Sequence, residues 1–278
     1  MLFAVMVILS GLSAAGVCVG SGAGLHSLWA APLSFVGTFL GLLILVFLVL
    51  WIAALCVDQK KPQEKDNAFY RLLVTKAIEL ALTLVRVRIH TRGLEQIPQS
   101  GRFMLVCNHI HDFDPAILLK NFPKSQLAFI GKREVRDMFM IGSLMHKFLC
   151  QFVNRENDRE ALKTILTCIK IIQEDKASIA VFPEGYIKPD RKLHHFRSGV
   201  FKIATKTKVP IVVCTLTNTP TIVKNLKKLK PSDVTLHLLK VIQPEEYEGM
   251  TTVEIADRVY HMMAQDLGPD LVAQEETP

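Results

Sequence analysis

The chain has 278 residues, half of them hydrophobic, and carries 33 lysines and arginines against 26 aspartates and glutamates, a formal net charge of +7. That length holds one sizeable soluble domain plus a membrane segment. The six cysteines (Cys18, Cys56, Cys107, Cys150, Cys168 and Cys214) are scattered through apolar runs without a C-x-x-C pair. This excludes a zinc ribbon or a dithiol redox motif, and it reads as buried free thiols in a reducing compartment.

No charged side chain precedes Asp58. Leu33–Val57 is a continuous apolar run long enough to span a bilayer, and Met1–Val19 is a second candidate span. The loop Gly20–Ala31 lacks charge, whereas Lys60, Lys61 and Lys65 follow the second run. The positive-inside rule then places the rest of the chain in the cytoplasm. A cleaved signal peptide ending near Ala30-Ala31 is the rival reading, but it lacks a basic leading region. With residues 1–57 as a membrane anchor, the basic balance fits an anionic leaflet or an anionic lipid better than nucleic acid.

Asp58–Asn67 reads as a charged linker. Phe69–Arg88 reads as an amphipathic helix, with Leu72, Leu73, Ile78, Leu80 and Leu84 apolar and Arg71, Lys76, Arg86 and Arg88 basic. Such a helix either lies in the membrane interface or packs on the core. Residues 58–92 are therefore expected to form a linker and interfacial helix, and residues 93–278 the catalytic domain. Val85–Ile89 alternates and has strand character.

Strands are expected at Phe103–Cys107, Leu127–Ile130, Ser178–Phe182, Val209–Leu216 and Val234–Val241. Helices are expected after Asp114, from Asn157 or Asp158 through Gln173, over Val200–Thr207 and over Val253–Leu267. In the long helix, Leu162, Ile165, Leu166, Ile169 and Ile172 form the expected buried face. The alternation predicts an α/β domain with a mixed, mainly parallel sheet flanked by helices, preceded by N-terminal transmembrane helices. Ligands in such sheets sit beyond the carboxyl ends of strands.

Two clusters fall at strand ends. In Asn108-His109-Ile110-His111-Asp112-Phe113-Asp114-Pro115, His109 precedes Asp114 by five residues, which on a helix is about 140° apart. Pro115 also pushes Asp114 out of the α region. The segment therefore reads as a tight loop that lets the two side chains meet, with Asp114 capping a short helix. A histidine steadied by a carboxylate is suited to general-base work. The plainer alternative is that His109 satisfies loop hydrogen bonds and Asp114 is only a cap. The second cluster is Val181-Phe182-Pro183-Glu184-Gly185.

Asn108-His109 through Asp114-Pro115 resembles the first motif of the glycerolipid acyltransferases. Phe182-Pro183-Glu184-Gly185 resembles their third motif, Phe152-Val153-Asn154-Arg155 their second, and Val209-Pro210-Ile211-Val212-Val213 their fourth, all in family order. The likeness runs from about Phe69 to about Gly268 and is greatest to the bacterial-type 1-acyl-glycerol-3-phosphate acyltransferases. Tyr186 and Ile187 replace the threonine and arginine usual after the glycine, and Leu149 stands where the second motif usually has a glycine.

The resemblance implies acyl transfer from acyl-CoA or acyl-acyl carrier protein to lysophosphatidic acid at the lipid bilayer, with no cofactor and no metal. It implies His109 as base, oriented by Asp114. Arg155 is the first choice for binding the acceptor phosphate and Lys132 the second. Glu184 and Gly185 line the acceptor site, with Glu184 binding the glycerol hydroxyl or holding Arg155. Pro210 shapes the strand entry near the acyl chain. Another lysophospholipid is an alternative acceptor. A metal-dependent phosphoesterase is an alternative reaction, but the H-x-H-x-D-H signature fails at Phe113 and Asp114, and His194-His195 lacks supporting ligand spacing. The run Lys224, Lys227, Lys228 and Lys230 is compatible with a solvated loop, lipid headgroups or an acidic carrier protein.

Overall fold

The computed structural model of the chain describes residues 1–21, 25–153 and 157–274. In chain order its elements begin with α1 (Leu2–Ser21), α2 (Leu25–Leu55), α3 (Ala68–Leu84), β1 (Val87–Arg92), β2 (Met104–Cys107), α4 (Asp114–Asn121), β3 (Leu127–Lys132), α5 (Arg133–Asp137) and α6 (Phe139–His146). They continue with β4 (Gln151–Val153), α7 (Asp158–Gln173), β5 (Ser178–Val181), α8 (Lys202–Thr207), β6 (Ile211–Thr217), α9 (Thr221–Leu226), β7 (Ser232–Ile242) and α10 (Thr252–Leu267).

The strands form one seven-stranded sheet in the order β1-β7-β6-β2-β5-β3-β4. All neighbours are parallel except β6 and β7. The mixed, mainly parallel sheet expected from the alternation is present. Strand alternation divides the core in two. Met104, Val106, Ile179, Val181, Ile211 and Val213 face one side, where they meet α7, α8 and α10. Leu105, Cys107, Ala180, Val212 and Cys214 face the other, toward α3 and α4. Helices on both faces explain why β2 and β5 are apolar at nearly every position.

α1 and α2 are both long and apolar enough to cross a membrane. They run side by side, with Ser13 Oγ 2.7 Å from Ser34 Oγ and the Phe3 and Phe39 rings 6.0 Å apart. The uncharged loop expected over Gly20–Ala31 is mostly helix; residues 22–24 of it lie outside the described residues. At about 1.5 Å per residue, the 31 residues of α2 reach roughly 46 Å. That exceeds a hydrocarbon core of about 30 Å. The excess is absorbed by protein: Trp51 packs on Phe139 of α6 at 4.9 Å, and the Tyr70 hydroxyl donates to the Ala53 carbonyl at 3.0 Å.

Several expectations are corrected. β1 belongs to the catalytic sheet, so the boundary at residue 93 falls too late: the linker and α3 end before Val87. α3 stops at Leu84 because Arg86 takes a left-handed φ of 57° and the chain turns into β1. Its basic residues are not all free for headgroups. Arg71 grips Asp66 in a two-pronged pair at 2.6 and 2.8 Å, donates to the Leu127 carbonyl, and lies over the Phe148 ring at 4.4 Å. In α7, Leu162 and Leu166 are exposed, while Cys168, Ile169, Ile171 and Ile172 are buried. Cys18 and Cys56 are exposed; the other four thiols are buried.

The Arg71–Asp66 pair ties the start of α3 to β3. Both side chains are largely sequestered, so removing one leaves an uncompensated charge. Arg71→Met is expected to destabilise the protein by roughly 3 kcal/mol. Arg71→Met/Asp66→Asn is expected to recover part of that loss. Thermal unfolding of detergent-solubilised protein measures both, and purely additive effects would show that the pair is not coupled.

Candidate active site

β2 delivers the chain to the carboxyl edge of the sheet, and the next seven residues fold back on themselves. Asn108 is buried and pins the strand end to its neighbour. Its amide donates to the Leu216 carbonyl at 2.9 Å, and its oxygen accepts from the Leu216 N–H at 2.7 Å. His109 follows, with Nδ1 3.0 Å from Asp114 Oδ2. That same oxygen accepts the Ile110 and His111 N–H groups, each at 2.8 Å. Asp114 is fully buried, and its Oδ1 has no hydrogen-bond partner among the described residues.

Asp114 therefore does not cap α4. The cap position is Phe113, and the Asp114 carboxylate turns back toward the loop that precedes it. A carboxylate only accepts, so His109 Nδ1 carries the proton and Nε2 keeps its lone pair. The imidazole is stacked on Phe182, with ring centroids 4.1 Å apart and planes 18° from parallel.

The second brace is Glu184, almost completely buried. Oε1 accepts the His109 N–H at 2.8 Å, and Oε2 accepts the His194 N–H at 3.1 Å. The carboxylate thus joins the histidine loop to the loop after β5. Burial pushes its pKa up to about 7; the two N–H donors oppose this, and nearby Asp114 and Asp190 add to it. Gly185 closes the turn, with its N–H on the Phe182 carbonyl at 3.0 Å and φ at +88°. A Cβ there would meet Arg197 Nε at 3.1 Å.

Beside this turn lies a cavity of ≈ 210 Å³, mostly apolar, bounded by Ile130, Val153, Ile165, Phe182, Pro183 and Val200, with Gly185 and Arg197 among its other walls. Phe182 is shared by the cavity and the His109 stack. The Arg197 side chain is exposed and makes no ion pair among the described residues. Its backbone N–H donates to the Pro183 carbonyl at 2.9 Å, which holds it beside the third motif. Arg191 donates to the Ile110 carbonyl at 2.7 Å. His111 is held neutral chiefly by burial, and its Nδ1 accepts the Phe113 N–H at 3.3 Å, leaving the hydrogen on Nε2.

The structure brings His109, Asp114, Glu184 and Gly185 together. Lys132 ends β3 on the same edge, but its ammonium is exposed and paired with Glu134 at 2.7 Å. Arg155 lies outside the described residues. Pro210 is not at the site. Its carbonyl accepts the Met104 N–H at 2.9 Å at the start of β2, whereas His109 follows the other end of that strand. At about 3.3 Å per residue the two are roughly 16 Å apart. Phe182 as a stacking partner and Arg197 as a nearby cation are additions. Arg197 lies twelve residues beyond Gly185, and only its aromatic-basic context, Phe196-Arg197, offers a signal in the sequence. Among the described residues, no three His, Cys, Asp or Glu side chains converge as a metal site.

Comparison with known proteins points to acyl transfer. An acyltransferase family model matches residues 88–217, which span β1 to β6. The probable 1-acyl-sn-glycerol-3-phosphate acyltransferase of Mycoplasma pneumoniae is 27% identical over 216 residues, 73% of this chain and 78% of that protein. The 1-acyl-sn-glycerol-3-phosphate acyltransferase of Borreliella burgdorferi is 28% identical over 181 residues, 64% of this chain and 72% of that protein. The crystal structure of the Thermotoga maritima 1-acyl-sn-glycerophosphate acyltransferase has the same fold. It superposes with a TM-score of 0.57 at 22% identity, covering 71% of this chain and 79% of that one. The chain carries this acyltransferase domain and is similar to 1-acyl-sn-glycerol-3-phosphate acyltransferases. It is an acyltransferase.

Glu184 gives this acyltransferase a pH-dependent brace. Its folded pKa lies above the ordinary 4.5, so the native state holds the proton more tightly than the unfolded chain. The stability it contributes is full below pH 4.5 and is lost as pH rises through about 7. The stability of wild type relative to Glu184→Gln is therefore expected to fall between those pH values and to level off above. Thermal midpoints across that range test this. A constant difference would remove the buried-carboxyl account.

Proposed function

We propose that the chain transfers an acyl group from an acyl thioester to the sn-2 hydroxyl of 1-acyl-glycerol-3-phosphate, giving phosphatidic acid for phospholipid synthesis. The observation that carries this reading is the His109–Asp114 pair, with Nδ1 engaged and Nε2 left as the acceptor. His109 takes the proton of the acceptor hydroxyl as its oxygen attacks the thioester carbonyl. The Asp114 carboxylate stabilises the imidazolium that forms. Collapse of the tetrahedral intermediate breaks the C–S bond, and the same proton passes to the departing thiolate. Backbone N–H groups are suited to the oxyanion. The donor is acyl-CoA or acyl-acyl carrier protein, and no metal or cofactor enters the chemistry.

The acceptor phosphate needs fixed guanidinium groups, which match it with two parallel donors. Arg155, ending the second motif, is one. Arg197 is the other, placed beside Gly185 where this chain carries Ile187 in place of the usual arginine. The apolar cavity beside Arg197 suits an acyl chain. α1 and α2 are suited to anchor the enzyme in the membrane, and Lys60, Lys61 and Lys65 support a catalytic domain on the cytoplasmic side.

His109→Ala is expected to lower turnover by roughly 10²–10⁴-fold, assayed with a chelator present, while the protein still folds and floats with vesicles. Asp114→Asn should also be severely impaired, because it keeps the size but loses the charge. Wild-type turnover in folded His109→Ala would remove His109 from the reaction.

Arg197→Ala and Arg155→Ala are each expected to raise the KM for lysophosphatidate by roughly 10–100-fold, with a much smaller effect on the acyl donor. The corresponding lysine variants should rescue only partly, since they lose the planar fork. Equal effects on both substrates would count against phosphate binding by that residue.

A further inference from the structure

We infer that the turn after α9 is a membrane-contacting finger, which presses the active-site edge of the sheet against an anionic leaflet. The inference rests on the membrane reading of α1 and α2 and adds a second, separate contact. Among the described residues after Val57, Leu229 is the most exposed large apolar side chain, at 78%. Val223 and Leu226 beside it are also exposed, at 41% and 42%. Lys224, Lys227, Lys228 and Lys230 are all exposed, and no acidic residue occurs between Asn218 and Ser232. Projecting apolar side chains ringed by lysines are the composition of an interfacial anchor, with the stems in the headgroup layer and the ammonium groups on lipid phosphates.

The projection is built, not slack. Leu229 has a left-handed φ of 53°, which an L side chain adopts only when its surroundings impose it. Asn225 supplies the constraint: its carbonyl accepts the Lys228 and Lys230 N–H groups at 2.9 Å, and its amide donates to the Pro231 carbonyl at 3.2 Å. Arg86, just after α3, donates to the Leu229 carbonyl at 2.6 Å.

Topology places this finger on the side of the reaction and of the spans. β2 and β6 are parallel, so α9 leaves the same edge of the sheet as His109. β7 is antiparallel to β6, and β1 is parallel to β7, with Val87 opposite Ser232. The end of α3 therefore reaches that edge too, and α3 packs against α1. A bilayer accepts a protruding leucine in any register. An acidic carrier protein would need a complementary hole for it.

The test uses the full chain in vesicles with and without phosphatidylglycerol. Leu229→Trp adds one emitter to Trp29 and Trp51, and its contribution is the difference from wild type. The expected result is blue-shifted added emission, largely lost with brominated lipid when phosphatidylglycerol is present. Replacing the four lysines with glutamine should move it back toward the emission of an exposed indole. A chain that floats with the vesicles while the added indole stays unquenched overturns the finger alone. So does an added emission that responds only to acyl carrier protein. A chain that does not float overturns the membrane reading beneath it.

Discussion

Three hydrogen bonds to one oxygen hold the active site together. Asp114 Oδ2 receives His109 Nδ1 and the Ile110 and His111 N–H groups, all between 2.8 and 3.0 Å. The two backbone bonds bend the loop; the third fixes the imidazole that the bend presents. A five-residue spacing that no helix or strand would bring together is thereby closed. Because the carboxylate is buried, its charge acts through little solvent, and an imidazolium nearby is stabilised more than at a surface. The same burial leaves Oδ1 without a hydrogen-bond partner among the described residues.

Glu184 repeats this logic one loop away. It too spends its oxygens on backbone N–H groups, one of them belonging to His109 itself. The first and third motifs are thus mechanically one unit: displacing the turn at Phe182–Gly185 moves both the N–H clasp on His109 and the ring on which the imidazole is stacked. Glu184 thus acts on His109 through a backbone hydrogen bond. A glycine suits position 185, where the positive φ strains any L side chain and a Cβ would crowd Arg197. Leu149 shows the opposite case. It holds a φ of +63° where the family usually has glycine, and its burial in the core compensates for the strained backbone.

The layered fold, most strands and the paired motifs are legible in the sequence because they depend on local signals: apolar runs of strand length, caps such as Asn157, and a spacing that excludes a helix. What is not legible depends on relations between distant segments. Sequence order groups Pro210 with the site because the fourth motif accompanies the others, but parallel register puts the start of β6 at the far edge from the end of β2. Asp114 has the position of a cap because it precedes a helix; the direction of its carboxylate is set by N–H groups of the preceding loop. Leu162 and Leu166 match the helical period, yet the sheet covers a stripe through Ile165, Cys168, Ile169 and Ile172 and leaves those two leucines on its flank. Arg197 reaches Gly185 only through the folded path of the intervening loop.

The single antiparallel step in the sheet carries a consequence for the membrane. Had β7 run parallel to β6, its start and that of β1 would lie at the opposite edge, and α3 would end far from His109. The reversal brings the end of α3, the turn after α9 and the loops that carry His109 and Glu184 to one side. α3 also packs against α1 and α2, so the apolar helices are coupled to the reactive edge through the backbone itself. In the proposed reaction, an acceptor whose tail stays in lipid needs only its headgroup lifted to His109. Sheet polarity, rather than any one side chain, sets how far that headgroup must travel.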